Sequence, residues 1–98
     1  MLRHIVFLKF NDQEKPEEVI LRLSSMLLAL PDSIEQLKKM EVGTNVSTRS
    51  AAFDFALVAD FDDEAGLEAY RIHPDHVKVL DFLAVHVQDS AVVDYFLT

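Results

Sequence analysis

Apolar side chains recur along this 98-residue chain with two periods, two and about 3.6 residues, which take turns in a fixed order. Leu2–Phe10 (LRHIVFLKF) puts Leu2, His4, Val6, Leu8 and Phe10 on one face and Arg3, Ile5, Phe7 and Lys9 on the other. Apolar residues occupy the middle of both faces, the pattern of a strand covered on both sides. Asn11–Lys15 is a polar connection. Pro16 stands where a first helical turn tolerates it, with Glu14, Glu17 and Glu18 near the positive end of the helix dipole. Val19, Ile20, Leu23, Met26, Leu27 and Leu30 fall on one stripe, which predicts an amphipathic helix ended by Pro31-Asp32.

A turn over 33–39 leads to a weaker strand at a sheet edge, Met40–Val46, and a polar turn over Asn45–Ser50. Phe53, Phe55, Leu57, Ala59 and Phe61 then alternate with Asp54, Ala56, Val58 and Asp60, the clearest strand signal in the chain. Asp62 or Asp63 caps a helix running to about Tyr70. His73 precedes Pro74 and is pushed out of the helical region, so the helix breaks there. A second helical piece carries Val77, Leu80, Leu83 and Ala84 on one stripe, and Val87–Leu97 closes the chain as a strand.

The order is β-α-β-β-α-β, and its halves echo each other. Phe10-Asn11-Asp12 and Phe61-Asp62-Asp63 each end a strand and lead into a helix. That order specifies an α+β fold, the ferredoxin-like antiparallel sheet with its helices on one face, in a single domain over residues 1–98. Two helices cover one face of such a sheet. Ile5 and Phe7 on the first strand, with Ala56 and Val58 on the third, make the other face apolar as well. Soluble monomers rarely expose a patch of several hundred Å². A second copy is therefore expected to cover it by twofold sheet-to-sheet packing.

Composition agrees with one small core. Half of the residues are hydrophobic, with 2 Gly and 3 Pro, which excludes a disordered chain. At 11.1 kDa the expected folded surface is ~5,700 Å² against ~16,100 Å² extended, too small for a two-domain enzyme. The net charge of −8 makes nucleic acid and anionic membrane poor partners. The absence of cysteine excludes disulfides, thiolate zinc sites and a cysteine nucleophile. Leu2–Phe10 carries Arg3, His4 and Lys9 and precedes no small-residue cleavage site, and no run approaches the ~20 apolar residues of a membrane span. No secretion signal is expected, and a cytoplasmic location is.

No nucleophile elbow, phosphate-binding loop or HExxH motif is present. The chemistry gathers in Tyr70-Arg71-Ile72-His73-Pro74-Asp75-His76, around the helix break. A tyrosine and a histidine on one cavity can act as proton donor and acceptor. His73 also reads as a cap at the chain reversal, and His76 as a histidine satisfied by a backbone partner. His73 and His76 supply two nitrogens where zinc takes three or four ligands, so no metal is expected. The first and last strands are antiparallel neighbours in this topology, which brings His4 opposite Asp94. That pair is either part of a site, with the carboxylate fixing the tautomer of the ring, or a structural polar pair. His86 is a C-terminal helix cation, and capping and a solvated surface explain the acidic run of Asp60, Asp62, Asp63 and Glu64.

His4-Ile-Val-Phe-Leu-Lys9-Phe10, Tyr70-x-x-His73-Pro-x-His76 and Asp94-Tyr95 together resemble the stress-responsive A/B barrel domain (Dabb) family over essentially the whole chain. The resemblance implies a ferredoxin-like protomer in a homodimeric α/β barrel, with a cavity between sheet and helices. It also implies a cofactor-free activity, since the family includes a plant polyketide cyclase that closes an aromatic ring by aldol condensation. Tyr70 and His76 match that enzyme's catalytic pair, and His4 and Asp94 match residues lining or supporting its site. Phe55 replaces a further histidine of the cyclase. The expected site is therefore catalytic Tyr70 and His76, with His4, Asp94, His73 and Phe55 around a small hydrophobic or aromatic carbonyl ligand. The alternative is a small-molecule-binding or stress-protective homo-oligomer without catalysis. The heme-degrading proteins that share the barrel have a site resembling an Asn-Trp-His set, and tryptophan is absent here.

Overall fold

The computed structural model describes residues 1–11 and 16–98. Seven elements follow one another: β1 (Leu2–Phe10), α1 (Pro16–Ser33), β2 (Lys39–Thr44), β3 (Phe55–Phe61), α2 (Glu64–Ile72), α3 (Pro74–His86) and β4 (Val87–Phe96). The strands form one antiparallel sheet in the order β2-β3-β1-β4. This is the ferredoxin-like α+β fold, with β2 at an edge. The connection placed at Asn11–Lys15 lies outside the described residues from Asp12 onward, as does Glu14.

The core lies between sheet and helices. Leu8, Phe10, Leu57, Ala59 and Phe61 from the sheet meet Val19, Leu23, Leu27 and Leu30 of α1, all buried. Burial of such side chains supplies the main stabilisation, about 1.5–3 kcal/mol each relative to exposure. Ile34 and Leu37, in the turn after α1, are core residues too, and they continue the spacing of Leu23, Leu27 and Leu30 past the end of the helix.

Several boundaries differ from the sequence pattern. Helix α1 runs through Pro31 to Ser33, and the Ile34 N–H still reaches the Leu30 carbonyl at 2.9 Å. A proline in the last turn forfeits a single backbone bond there, which the helix survives. Strand β3 starts at Phe55 rather than Phe53. The Asp54 carboxylate accepts the Phe10 N–H at 2.9 Å, and the Asp54 N–H donates to the Leu8 carbonyl. Alternation therefore breaks at residue 54, and Phe53 lies against Phe7, 6.1 Å between ring centres, on the opposite face from Phe55. On α3 the buried residues are His76 and Val79, while Val77 and Leu80 are exposed. The stripe through Val77 is thus displaced by one residue.

The helix-free face of the sheet carries Ile5, Phe7, Val58 and Val93, together with the Arg3–Asp60 ion pair. Arg3 Nε and Nη2 donate to the two carboxylate oxygens of Asp60, each at 2.9 Å. Asp60 is thus a buried ion-pair partner instead of a solvated member of the acidic run. The guanidinium holds its carboxyl below the usual aspartate range, against the opposing effect of burial. No helix among the described residues is long and apolar enough to cross a membrane.

Candidate active site

A cavity of about 570 Å³ opens between β1, β4 and the helices. Its walls are apolar: Val6 and Leu57 from the sheet, Leu27 from α1, Val79 and Leu83 from α3. At one end, His4, Tyr70 and His76 supply the polar groups.

The helix break brings Tyr70 and His76 together. On a continuous helix, residues six apart point about 120° apart around the axis. Here α2 ends at Ile72, and His73 takes φ −64°, ψ 137°. It caps both helices. Its N–H donates to the Tyr70 carbonyl, and its Nδ1 accepts from the Asp75 N–H at 3.1 Å. Pro74 then opens α3, and His76 in its first turn folds back onto Tyr70, with ring centres 4.1 Å apart.

The His76 Nδ1 lies 3.1 Å from the Arg71 carbonyl. A carbonyl only accepts, so Nδ1 carries the proton and Nε2 is left with its lone pair. The carbonyl is one of those that the end of α2 would otherwise leave unpaired. Burial pushes the His76 pKa below its usual 6.5; the Arg71 carbonyl bond works against that, and the charges of His4, Arg71 and His73 add to it. The ring is therefore neutral near pH 7.

Tyr70 is 1% exposed and packs on Phe61, 5.0 Å away, and on the edge of His4, at 6.3 Å. Burial raises its pKa well above the usual 10, so the phenol keeps its proton. Every fully buried side-chain nitrogen or oxygen among the described residues has a hydrogen-bond partner. The Tyr70 hydroxyl has none there, so it is open to the cavity.

His4 sits opposite Asp94 in the β1–β4 register, and its Nδ1 donates to Asp94 Oδ1 at 2.5 Å. Asp94 thus reaches the cavity through His4, and the residue itself lines a second groove with Leu2 and Leu67. His73 and Phe55 are not among the cavity-lining residues. His73 serves as the cap described above, and Phe55 is buried against Phe10, 6.1 Å between ring centres. No group of three or more metal-ligating side chains converges among the described residues. The Arg71 carbonyl that orients His76 is a backbone group, and no side-chain pattern announces it.

The chain resembles several known proteins in sequence and in fold. The profile of the stress responsive A/B barrel domain family, Dabb, matches residues 2–97. An uncharacterised protein of Streptomyces coelicolor is 38% identical over 77 residues, spanning 78% of this chain and 79% of its own. The crystal structure of a dimeric ferredoxin-like protein of unknown function from Thermobifida fusca YX superposes with a TM-score of 0.86 at 34% identity, over 98% of this chain and 90% of that one. A hydroxynitrile lyase from Passiflora edulis shares the fold, with a TM-score of 0.86 at 19% identity over 99% and 93% of the two chains.

Proposed function

The chain belongs to the stress-responsive A/B barrel (Dabb) family, and on that premise we propose that its cavity is the active site of a cofactor-free acid–base enzyme acting on an apolar carbonyl compound. One observation carries the reading: the His76 ring, its Nε2 without a partner among the described residues, is stacked on the Tyr70 ring with 4.1 Å between centres, and the Tyr70 hydroxyl has no partner there either.

The apolar walls take the body of the substrate, and its carbonyl lies at the polar end. His76 Nε2 removes a proton from the carbon next to that carbonyl. The C–H electron pair moves into the new C=C bond, and the carbonyl π pair moves onto oxygen. The Tyr70 O–H donates to the oxygen as its charge develops, a contact that strengthens in the transition state. The Arg71 carbonyl stabilises the imidazolium formed, and His4, held by Asp94, closes the polar end. The enolate then attacks a second carbonyl of the same substrate, as in an aldol ring closure, or takes up a proton elsewhere.

The working unit in this proposal is a homodimer joined through the helix-free sheet face. The exposure of Phe7, Val93 and Tyr95 on that face supports it. So does the dimeric Thermobifida fusca protein, at 34% identity.

The test is turnover of a poly-β-keto ester, with Tyr70→Phe and His76→Ala compared to the wild type. General acid–base groups contribute about 10²–10⁴-fold each, and losses of that size in both variants are expected. Full activity in either variant removes that residue from the mechanism. Binding without turnover in the wild type would favour a non-catalytic carrier.

A further inference from the structure

The end of the cavity opposite Tyr70 has a feature that strand geometry alone would not produce. Side chains on a strand alternate between faces, so at most every second residue of β4 belongs on the cavity wall. In the β1–β4 register, Val92 pairs with Val6 and Ser90 with Leu8, and both line the cavity. The ladder then slips: Lys9 faces Asp89 and Phe10 faces Val87, so Gln88 is an extra residue in β4, a β-bulge. Bulges re-aim side chains and are common beside functional sites. Here the result is that four consecutive residues, Val87 to Ser90, all line the cavity.

The polar groups so gathered are an amide, a carboxylate and a hydroxyl. The Asp89 carboxylate turns back onto the Ser90 N–H at 2.9 Å. The Gln88 amide and the Ser90 hydroxyl have no hydrogen-bond partner among the described residues. They stand four β1 residues from His4, since Ser90 pairs with Leu8, a separation of about 13 Å along the strand. Between the two ends the wall is Val6, Leu57, Val79, Leu83 and Val92.

We propose that the bulge at Gln88 builds a second recognition point, where the Gln88 amide and the Ser90 hydroxyl bind a neutral polar group at the far end of an elongated ligand. The inference rests on the reading of the cavity as a carbonyl site, because the first end of that ligand is the group held at Tyr70 and His76. The far group is not an anion, because Asp89 beside it and the net charge of −8 disfavour a carboxylate, and a neutral group is what an amide and a hydroxyl pair with by exchanging hydrogen bonds. The ligand is therefore a bifunctional chain, apolar in the middle and polar at both ends. An extended chain advances about 3.3–3.6 Å per three bonds, so about eleven bonds span the distance.

The test is calorimetric titration of the whole protein with 2-decanone and with 10-hydroxy-2-decanone. One neutral hydrogen bond predicts about three- to tenfold tighter binding of the hydroxyketone. In the Gln88→Leu/Ser90→Ala variant the preference falls to about one, while the plain ketone binds as well as to the wild type or better. Both residues are exposed, and circular dichroism checks that the variant is folded. Equal binding of the two probes to the wild type overturns the second recognition point and leaves the carbonyl site standing. Survival of the preference in the double variant overturns it too. Binding of neither probe overturns the carbonyl reading and this proposal with it.

Discussion

His76 couples folding to pH in a direction that its surroundings fix. Its folded pKa lies below the 6.5 of an exposed histidine, chiefly because burial penalises the charged ring. The unfolded chain therefore binds the proton more readily than the folded one. The stabilisation is complete above pH 6.5 and is lost as the pH falls through the folded pKa below it. Urea midpoints measured from pH 8 down to 5 should drop for the wild type and drop less for His76→Gln. If His76 is the base, the acidic limb of kcat/KM lies below pH 6.5 as well. Asp60 acts lower on the scale. The Arg3 hydrogen bonds depress its pKa below 3.8, so its stabilisation is full above that value and vanishes at more acidic pH. Asp60→Asn should lower Tm at pH 7, and the gap to wild type should narrow under pH 3.8.

At the scale of elements, the short helix α2 is held by its cap and by what it rests on. Asp63 Oδ1 accepts the Gly66 N–H at 2.9 Å. Asp63→Ala should cost about 1 kcal/mol in urea denaturation, and because Tyr70 lies in the same helix, activity should fall with it. Helix α1 depends instead on packing. Leu23 has no exposed surface and lies in the main core, away from the cavity walls. Leu23→Ala should cost about 2–5 kcal/mol while leaving KM near its wild-type value. The strands β1 and β4 matter to the site through register. His4 meets Asp94 and Ser90 meets Leu8 only because the pairing is fixed along that edge.

The whole molecule exposes 6213 Å², about 500 Å² more than the scaling expected for its mass. The excess accords with the exposed Phe7, Val93, Tyr95 and Phe96. Phe7 and Val93 lie on the helix-free face, where a partner would cover them. Light scattering of the wild type at micromolar concentration should give twice the 11.1 kDa chain mass. Phe7→Glu/Val93→Glu should give the single-chain mass, because two buried carboxylates without partners oppose association. A wild-type monomer at that concentration removes the dimer from the proposal.

How much of this was legible depends on whether the signal was local. Alternation in β1 and β3, the stripe of α1 and the Pro74 break are written in neighbouring residues, and the element order follows from them. The element order also implied the nearness of His4 and Asp94, because the topology leaves the first and last strands side by side. Phe53 and the stripe of α3 depart from the local pattern because each depends on a long-range contact. Asp54 bonding to β1 ended the alternation, and the sheet decided which side of α3 is inside. Arg3 and Asp60 are 57 residues apart in the chain and carried no pairing signal of their own. By itself, the sequence determined the elements, their order and the residues able to move protons, since periodicity and backbone restriction act over a few residues. Only the tertiary structure decided which of those residues share a cavity, which proton His76 keeps and where β4 bulges, since these depend on atoms that the chain brings together from far apart.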